Sequence, residues 1–173
     1  MNVSKITCWF YTLLATLLFF SNSCTIMDKN LGNLYQIEIE SIAVAPWDYE
    51  TNHRVKIEKN GAVFYSHNKE YILEGKEEIP IWNTSYSEKP LFYLSKIEMK
   101  ELLDLVNSSG FFDLKTEYED KNVHDGSSLR ITVILDSNRK AVFLKNIEIP
   151  QIKQIIEWIN SKLPIENQIK HLV

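Results

Sequence analysis

The chain has 173 residues, 45% of them hydrophobic and 24% charged, with a formal net charge of −4. That balance is globular and excludes disordered and fibrous chains. Without a long Lys/Arg run, a mildly acidic chain also lacks the charge that phosphate neutralisation requires, so nucleic acid is not an expected partner.

Met1 to Lys5 is polar with one positive charge, Ile6 to Phe20 is apolar or weakly polar, and Ser21-Asn22-Ser23 places small residues at −3 and −1 before Cys24. This is the build of a secretory signal. Its core of about 15 residues falls short of the ~20 that span a bilayer comfortably, although an uncleaved anchor is the alternative. Removing residues 1–23 takes away Lys5 and no acid, leaving 150 residues at a formal charge of −5. That is one domain's worth of chain. Phe19–Cys24 resembles the signal of a bacterial lipoprotein, in which the cysteine becomes the lipidated first residue. Ser23 fits that pattern, while Ser21 and Asn22 stand where the family usually has aliphatic or small residues. The resemblance implies lipidation at Cys24 and a membrane-anchored envelope lipoprotein, periplasmic or outer-surface. Ordinary cleavage leaving a free thiol is the alternative. A redox role has little support, because no CxxC partner or Lys/His cluster adjoins Cys24.

Thr25 to Leu34 has no sustained period and reads as a tether, so residues 24–34 link the anchor to the fold. Tyr35–Glu40 alternates strictly, as a half-buried strand does. The phase slips at Ser41, where a bulge would keep Ile37, Ile39, Ile42 and Val44 all inside. Ala45–Asn52 is a loop carrying Trp47 and Tyr49. His53–Lys59, Asn60-Gly61 and Ala62–Ser66 form a hairpin, and Asn-Gly predicts a type I′ turn. Glu70–Glu74 reads as a third strand; Lys76–Tyr93, with Pro80, Trp82, Tyr86 and Pro90, reads as a long aromatic loop.

Ser95 and Glu98 have capping-box spacing, with Leu94 placed to staple onto Met99. Met99, Leu102, Leu103 and Val106 then make one helical stripe, which Gly110 ends. Phe111-Phe112 returns to the core and Glu117–Gly126 reads as a polar loop. Ser128–Leu135 and Lys140–Ile147 form a second hairpin around Asp136–Arg139. A helix from Pro150 carries Ile152, Ile155, Ile156, Ile159 and Leu163 on one face, and Pro164 stops it. Residues 165–173 form a tail. The order predicts a single α+β domain over 35–164, an antiparallel sheet with two amphipathic helices packed on one face.

Chemistry is sparse in this sequence. None of His53, His67, His124 and His171 has zinc spacing, and no GxSxG, P-loop or GxGxxG is present. No catalytic residue and no cofactor is expected. Glu117, Asp120, His124 and Asp125 are the nearest thing to a metal or acid–base cluster, the basis of an alternative reading as a metal-dependent protein or hydrolase. A calcium loop would put Gly sixth and Glu twelfth, whereas counting from Asp120 puts Gly126 seventh and Ile131 twelfth. A solvated loop turning at Asp125-Gly126 is the plainer account. Trp47, Tyr49, Trp82 and Tyr86 are candidate anchors for an envelope protein or glycan; closing the open end of the sheet as core is their other reading.

Val55–Tyr65, then Gly110-Phe-Phe-Asp-Leu114 followed by Tyr118 and Asp125, then the closing strands and helix, resemble a group of uncharacterised exported bacterial domains. The likeness covers roughly residues 39–163 and implies an exported fold with no stated activity. That family pattern has a Cys-rich turn before its first hairpin. The matching places near Trp47 and Thr51 carry no cysteine, so nothing is carried over from it.

Overall fold

The computed structural model describes residues 34–43, 52–67, 85–123 and 127–170. The expected signal segment, most of the tether and the Glu70–Glu74 strand lie outside those residues. So do Cys24, Trp47, Tyr49, Trp82, His124 and Asp125.

Among the described residues, seven strands make one sheet: β1 Leu34–Ala43, β2 His53–Glu58, β3 Ala62–His67, β4 Phe92–Tyr93, β5 Glu117–Glu119, β6 Ser127–Leu135 and β7 Asn138–Lys145. Their spatial order is β4-β3-β2-β1-β6-β7-β5, and every pairing is antiparallel except β5 with β7. Helices α1, Lys96–Ser108, and α2, Pro150–Asn160, contact one another. The protein is α+β, with helices over one face of a mostly antiparallel sheet.

The core follows from alternation along the strands. Ile37, Ile39, Val55, Ile57, Val63, Leu129, Ile131, Val133, Val142 and Leu144 are buried, and register places them opposite one another on a single face. Against them pack the two predicted stripes: Met99, Leu102, Leu103 and Val106 of α1, and Ile152, Ile155, Ile156 and Ile159 of α2. Each fully buried aliphatic side chain contributes about 1.5–3 kcal/mol relative to exposure, so these facing stripes hold the two layers together.

Local chemistry sets the helix ends. Ser95 caps α1, its hydroxyl accepting from the Glu98 N–H while the Glu98 carboxylate accepts from the Ser95 N–H, as the sequence predicts. Gly110 terminates α1 at φ 71°, a left-handed position that glycine takes without strain. Pro150 occupies the first turn of α2, where its missing N–H costs nothing.

Three expectations are corrected. There is no bulge at Ser41: the register runs unbroken from Gln36 to Ser41 against β2 and from Gln36 to Ala43 against β6. Ile42 is therefore buried on the face opposite Ile37 and Ile39, where Glu40, Ser66, Ser128 and Thr132 are buried too. Both faces of β1 are covered at that end, and the phase slip follows from two-sided burial.

The Asn60-Gly61 turn is not type I′ either, because Gly61 has positive φ and Asn60 does not. The Gly61 N–H donates to Glu58 O, Asn60 Oδ1 accepts from the Ala62 N–H, and Gly61 O accepts from the Leu94 N–H. This is a three-residue loop with glycine in the left-handed position. A Cβ at Gly61 would lie 2.4 Å from Leu94 O, so the loop also depends on glycine's lack of a side chain.

Residues 117–119, expected as loop, form the parallel edge strand β5. Past Pro164, where the sequence is too short to show a pattern, the chain is bonded to the domain through Lys170. Ile169 is buried, the Asn160 side chain bonds both backbone groups of Ile169, and the Ser41 hydroxyl donates to Lys170 O.

The sheet has two unlike ends. Leu34 pairs with Leu135 and Gln36 with Glu58, so β1 starts beside the Lys59–Gly61 and Asp136–Ser137 turns. At the other end sit Ala43, His53, His67, Ser127 and Lys145. The first is the turn end, and the second the loop end.

Candidate functional site

The sheet face away from α1 and α2 carries the polar phase of the strands. β1 contributes Glu38 and Glu40, opposite Lys56 and Arg54 of β2 on one side and Thr132 and Arg130 of β6 on the other. Alternation alone requires this arrangement, because Ile37 and Ile39 face the helices. Opposite charges on directly facing cross-strand residues then attract. Glu40 is only 4% exposed and bonds the Arg130 guanidinium through its carboxylate. That bond raises the Arg130 pKa above its ordinary value.

Tyr86 folds over this face. Its hydroxyl donates to the Glu38 carboxylate, and its ring lies 4.2 Å from the Arg54 guanidinium carbon and 4.9 Å from Lys56 Nζ. Burial first, and then the bond to Glu38, push the phenol well above its ordinary value of 10.0 and keep it protonated. A phenol so held is a donor and a cation–π platform, not a base or nucleophile. Ser66 Oγ donates to Ser85 O and the Ser87 N–H donates to Tyr65 O, so the strand edge holds the same segment. Of the four aromatic candidates, Tyr86 is the one among the described residues, and it is pinned to the sheet.

The acidic loop is likewise tied down where it is described. The Asp120 N–H donates to Lys145 O, while Asp120 Oδ1 accepts from both the N–H and the side-chain amide of Asn122. Glu119 pairs with Lys145 at 3.1 Å, and Glu117 is exposed on β5. Asn146, at φ 58°, bonds Ser127 O through its N–H and Val123 O through its side-chain amide. Among the described residues, no group of three or more His, Cys, Asp or Glu side chains is placed to hold a metal ion.

A cleft of about 160 Å³ runs along α2, with Leu144, Ile149, Ile152, Ile156 and Ile169 in its wall and Lys153 at its rim. Lys153 there pairs with Glu148 at 2.8 Å. This volume is below the ~300–1,000 Å³ of typical ligand sites.

The charged network is what residue-by-residue reading missed. Its signal lay in the polar phases: acids at Glu38 and Glu40, bases at Arg54 and Lys56, each two residues apart on neighbouring strands. No family model matches the chain, and no curated protein matches it.

Proposed function

We propose that the protein is an exported, lipid-anchored domain of the bacterial envelope that binds a partner through loops at one end of its sheet and performs no catalysis. The observation that carries this reading is the polarity of the fold. The chain joins β1 at the turn end, ten residues after Cys24. Residues 44–51, with Trp47 and Tyr49, 68–84, with Trp82, and 124–126, with His124 and Asp125, all connect to described residues at the loop end. Fully extended, ten residues reach at most about 35 Å, so a lipid on Cys24 keeps the domain close to the membrane, while the described residues that flank those loops lie at the opposite end of the sheet. The signal-like N-terminus and the likeness to exported bacterial domains support the location. Trp and Tyr are the side chains that most often anchor interfaces.

Intact mass of the mature protein from membrane and soluble fractions of the host tests the anchor. A membrane form beginning at Cys24 with added acyl mass is expected, and a soluble form with a free thiol would end that half of the reading. For the loops, photo-crosslinking residues at Asp48 and Asn83, beside the two tryptophans, are expected to capture an envelope protein or glycan, while one at Asn60 does not. Trp47→Ala and Trp82→Ala should abolish capture with melting temperature unchanged; unfolding of both would make these side chains core.

A further inference from the structure

We infer that the turn end of the domain rests on the bilayer surface, with Leu91, Tyr93, Ile97 and Ile165 entering the lipid interface; this rests on the proposed anchor at Cys24. These four are the exposed large hydrophobic side chains among the described residues, at 42%, 64%, 67% and 81% exposure. Single exposed apolar side chains are ordinary. Here all four fall at one end. The Leu91 N–H donates to Val63 O and Tyr93 pairs with Ala62, next to the Lys59–Gly61 loop. Ile97 is the second residue of α1, which begins just after the Leu94 N–H bonds Gly61 O. Ile165 follows Leu163 by two residues, and Leu163 lies with Ile57, Val63 and Leu94. Lys162 pairs with Glu98 at 3.1 Å and brings the end of α2 to the start of α1.

None of the four serves the core. Ile97 stands about 200° round the helix from Met99 at 100° per residue, off the buried stripe. Leu91 and Tyr93 flank Phe92, which pairs with buried Val63, so alternation along this extended edge turns both away from Val63. The turn end is also where the chain arrives from Cys24, with about 35 Å of reach. A bilayer is therefore the surface that these side chains meet first. Tyr suits the headgroup level, and aliphatic side chains suit the acyl boundary below it.

Charge at this end is mixed: Lys59, Lys89, Lys96 and Arg139 stand among Glu88, Asp136 and Glu166, all exposed, an excess of one positive charge. Attraction to anionic lipid is thus not what holds the domain. The contact is apolar, weak alone, and made effective by the high local concentration that the tether imposes.

The test uses the chain from Cys24 onward, the form that the proposed processing yields and the one in which Cys24 is the sole cysteine. Its thiol is coupled to a maleimide-headgroup lipid in phosphatidylcholine nanodiscs doped with a gadolinium-headgroup lipid, and methyl relaxation is read by NMR. Enhancement several-fold larger at Leu91, Ile97 and Ile165 than at Val123 and Ile149 of the loop end is expected. It should persist in about 1 M salt, where the Debye length is about 3 Å. A Leu91→Ser/Ile97→Ser/Ile165→Ser variant should level the gradient, read in it at the retained methyls of Val63, Leu94 and Leu163 at the same end, with melting temperature unchanged. Equal enhancement at both ends, a gradient that survives the triple substitution, or a lipid-free dimer that buries the same methyls would overturn the inference. Because the attachment is imposed chemically, such a result leaves the anchor reading standing, and that reading is decided separately by the intact mass.

Discussion

Glu40 and Arg130 are ninety positions apart in sequence and bonded to each other across the β1–β6 pair. The carboxylate is nearly sealed from water, whereas the Arg130 side chain keeps 28% of its exposure. Removing the guanidinium therefore leaves a buried carboxylate without its bonded cation and with Arg54, opposite on β2, to offset it, while removing the carboxylate leaves a cation that can still reach solvent. Breaking a buried pair from one side typically costs 3–5 kcal/mol, and partial exposure here brings the expectation for Arg130→Ala to about 2–3 kcal/mol. Urea unfolding should show Arg130→Ala well below wild type and Arg130→Ala/Glu40→Gln partly restored. A double variant as unstable as the single would mean that the charge of Glu40 is not what costs.

At the scale of elements, α1 illustrates what a sequence can announce. Its capping box, its stripe and its terminating glycine involve residues within a few positions of one another, so spacing alone identifies them. The same contacts create a pH dependence. The Ser95 N–H first, then the Ser95 hydroxyl and Lys162, hold the Glu98 carboxylate at about 2, below its ordinary 4.5. A depressed folded-state value stabilises above the unfolded value and loses that contribution as pH falls from about 4.5 through about 2. Glu98→Gln should accordingly lower the urea midpoint at pH 7, with the gap to wild type closing across that window. A gap constant down to pH 2 would show that ionisation plays no part. The two short strands illustrate the opposite case. Phe92–Tyr93 and Glu117–Glu119 have two and three residues, too few for a period, and exist because β3 and β7 offer unpaired edges. The Ser41 phase slip suggested a bulge for a related reason. Alternation assumes one wet face, and around Ile42 neither face is wet. The charged network over Tyr86 was equally illegible locally, since register alone brings β1, β2 and β6 together.

Across the whole molecule, the ends of the sheet differ in chemistry as well as in connections. Buried Ser41, Asn52, His53, Ser66, Ser127, Ser128 and Asn146 all lie toward the loop end. A polar interior needs partners, because each buried unsatisfied group costs about 1–3 kcal/mol. The C-terminal strap, residues 164–170, is one source of them. Lys170 O takes the Ser41 hydroxyl at 2.6 Å, Asn167 bonds Tyr65, and Ile169 sits on Asn160 through two bonds of 2.7 and 2.9 Å. Sequence could not sort Ile165 from Ile169, one exposed and one buried, because the difference is made by Asn160 and Ser41. Truncation after Pro164 removes the Ile169 side chain and leaves Ser41 and both polar ends of Asn160 without these partners. A loss of about 3–4 kcal/mol is expected from the side chain and bonds together, lowering the melting temperature by roughly 10 °C for a domain of this size. Hydrogen exchange should then quicken at the loop-end halves of β1 and β2 while the Lys59–Gly61 hairpin keeps its protection. Uniform loss of protection would instead make the strap part of one cooperative core, and an unchanged melting temperature would show that it contributes nothing to stability.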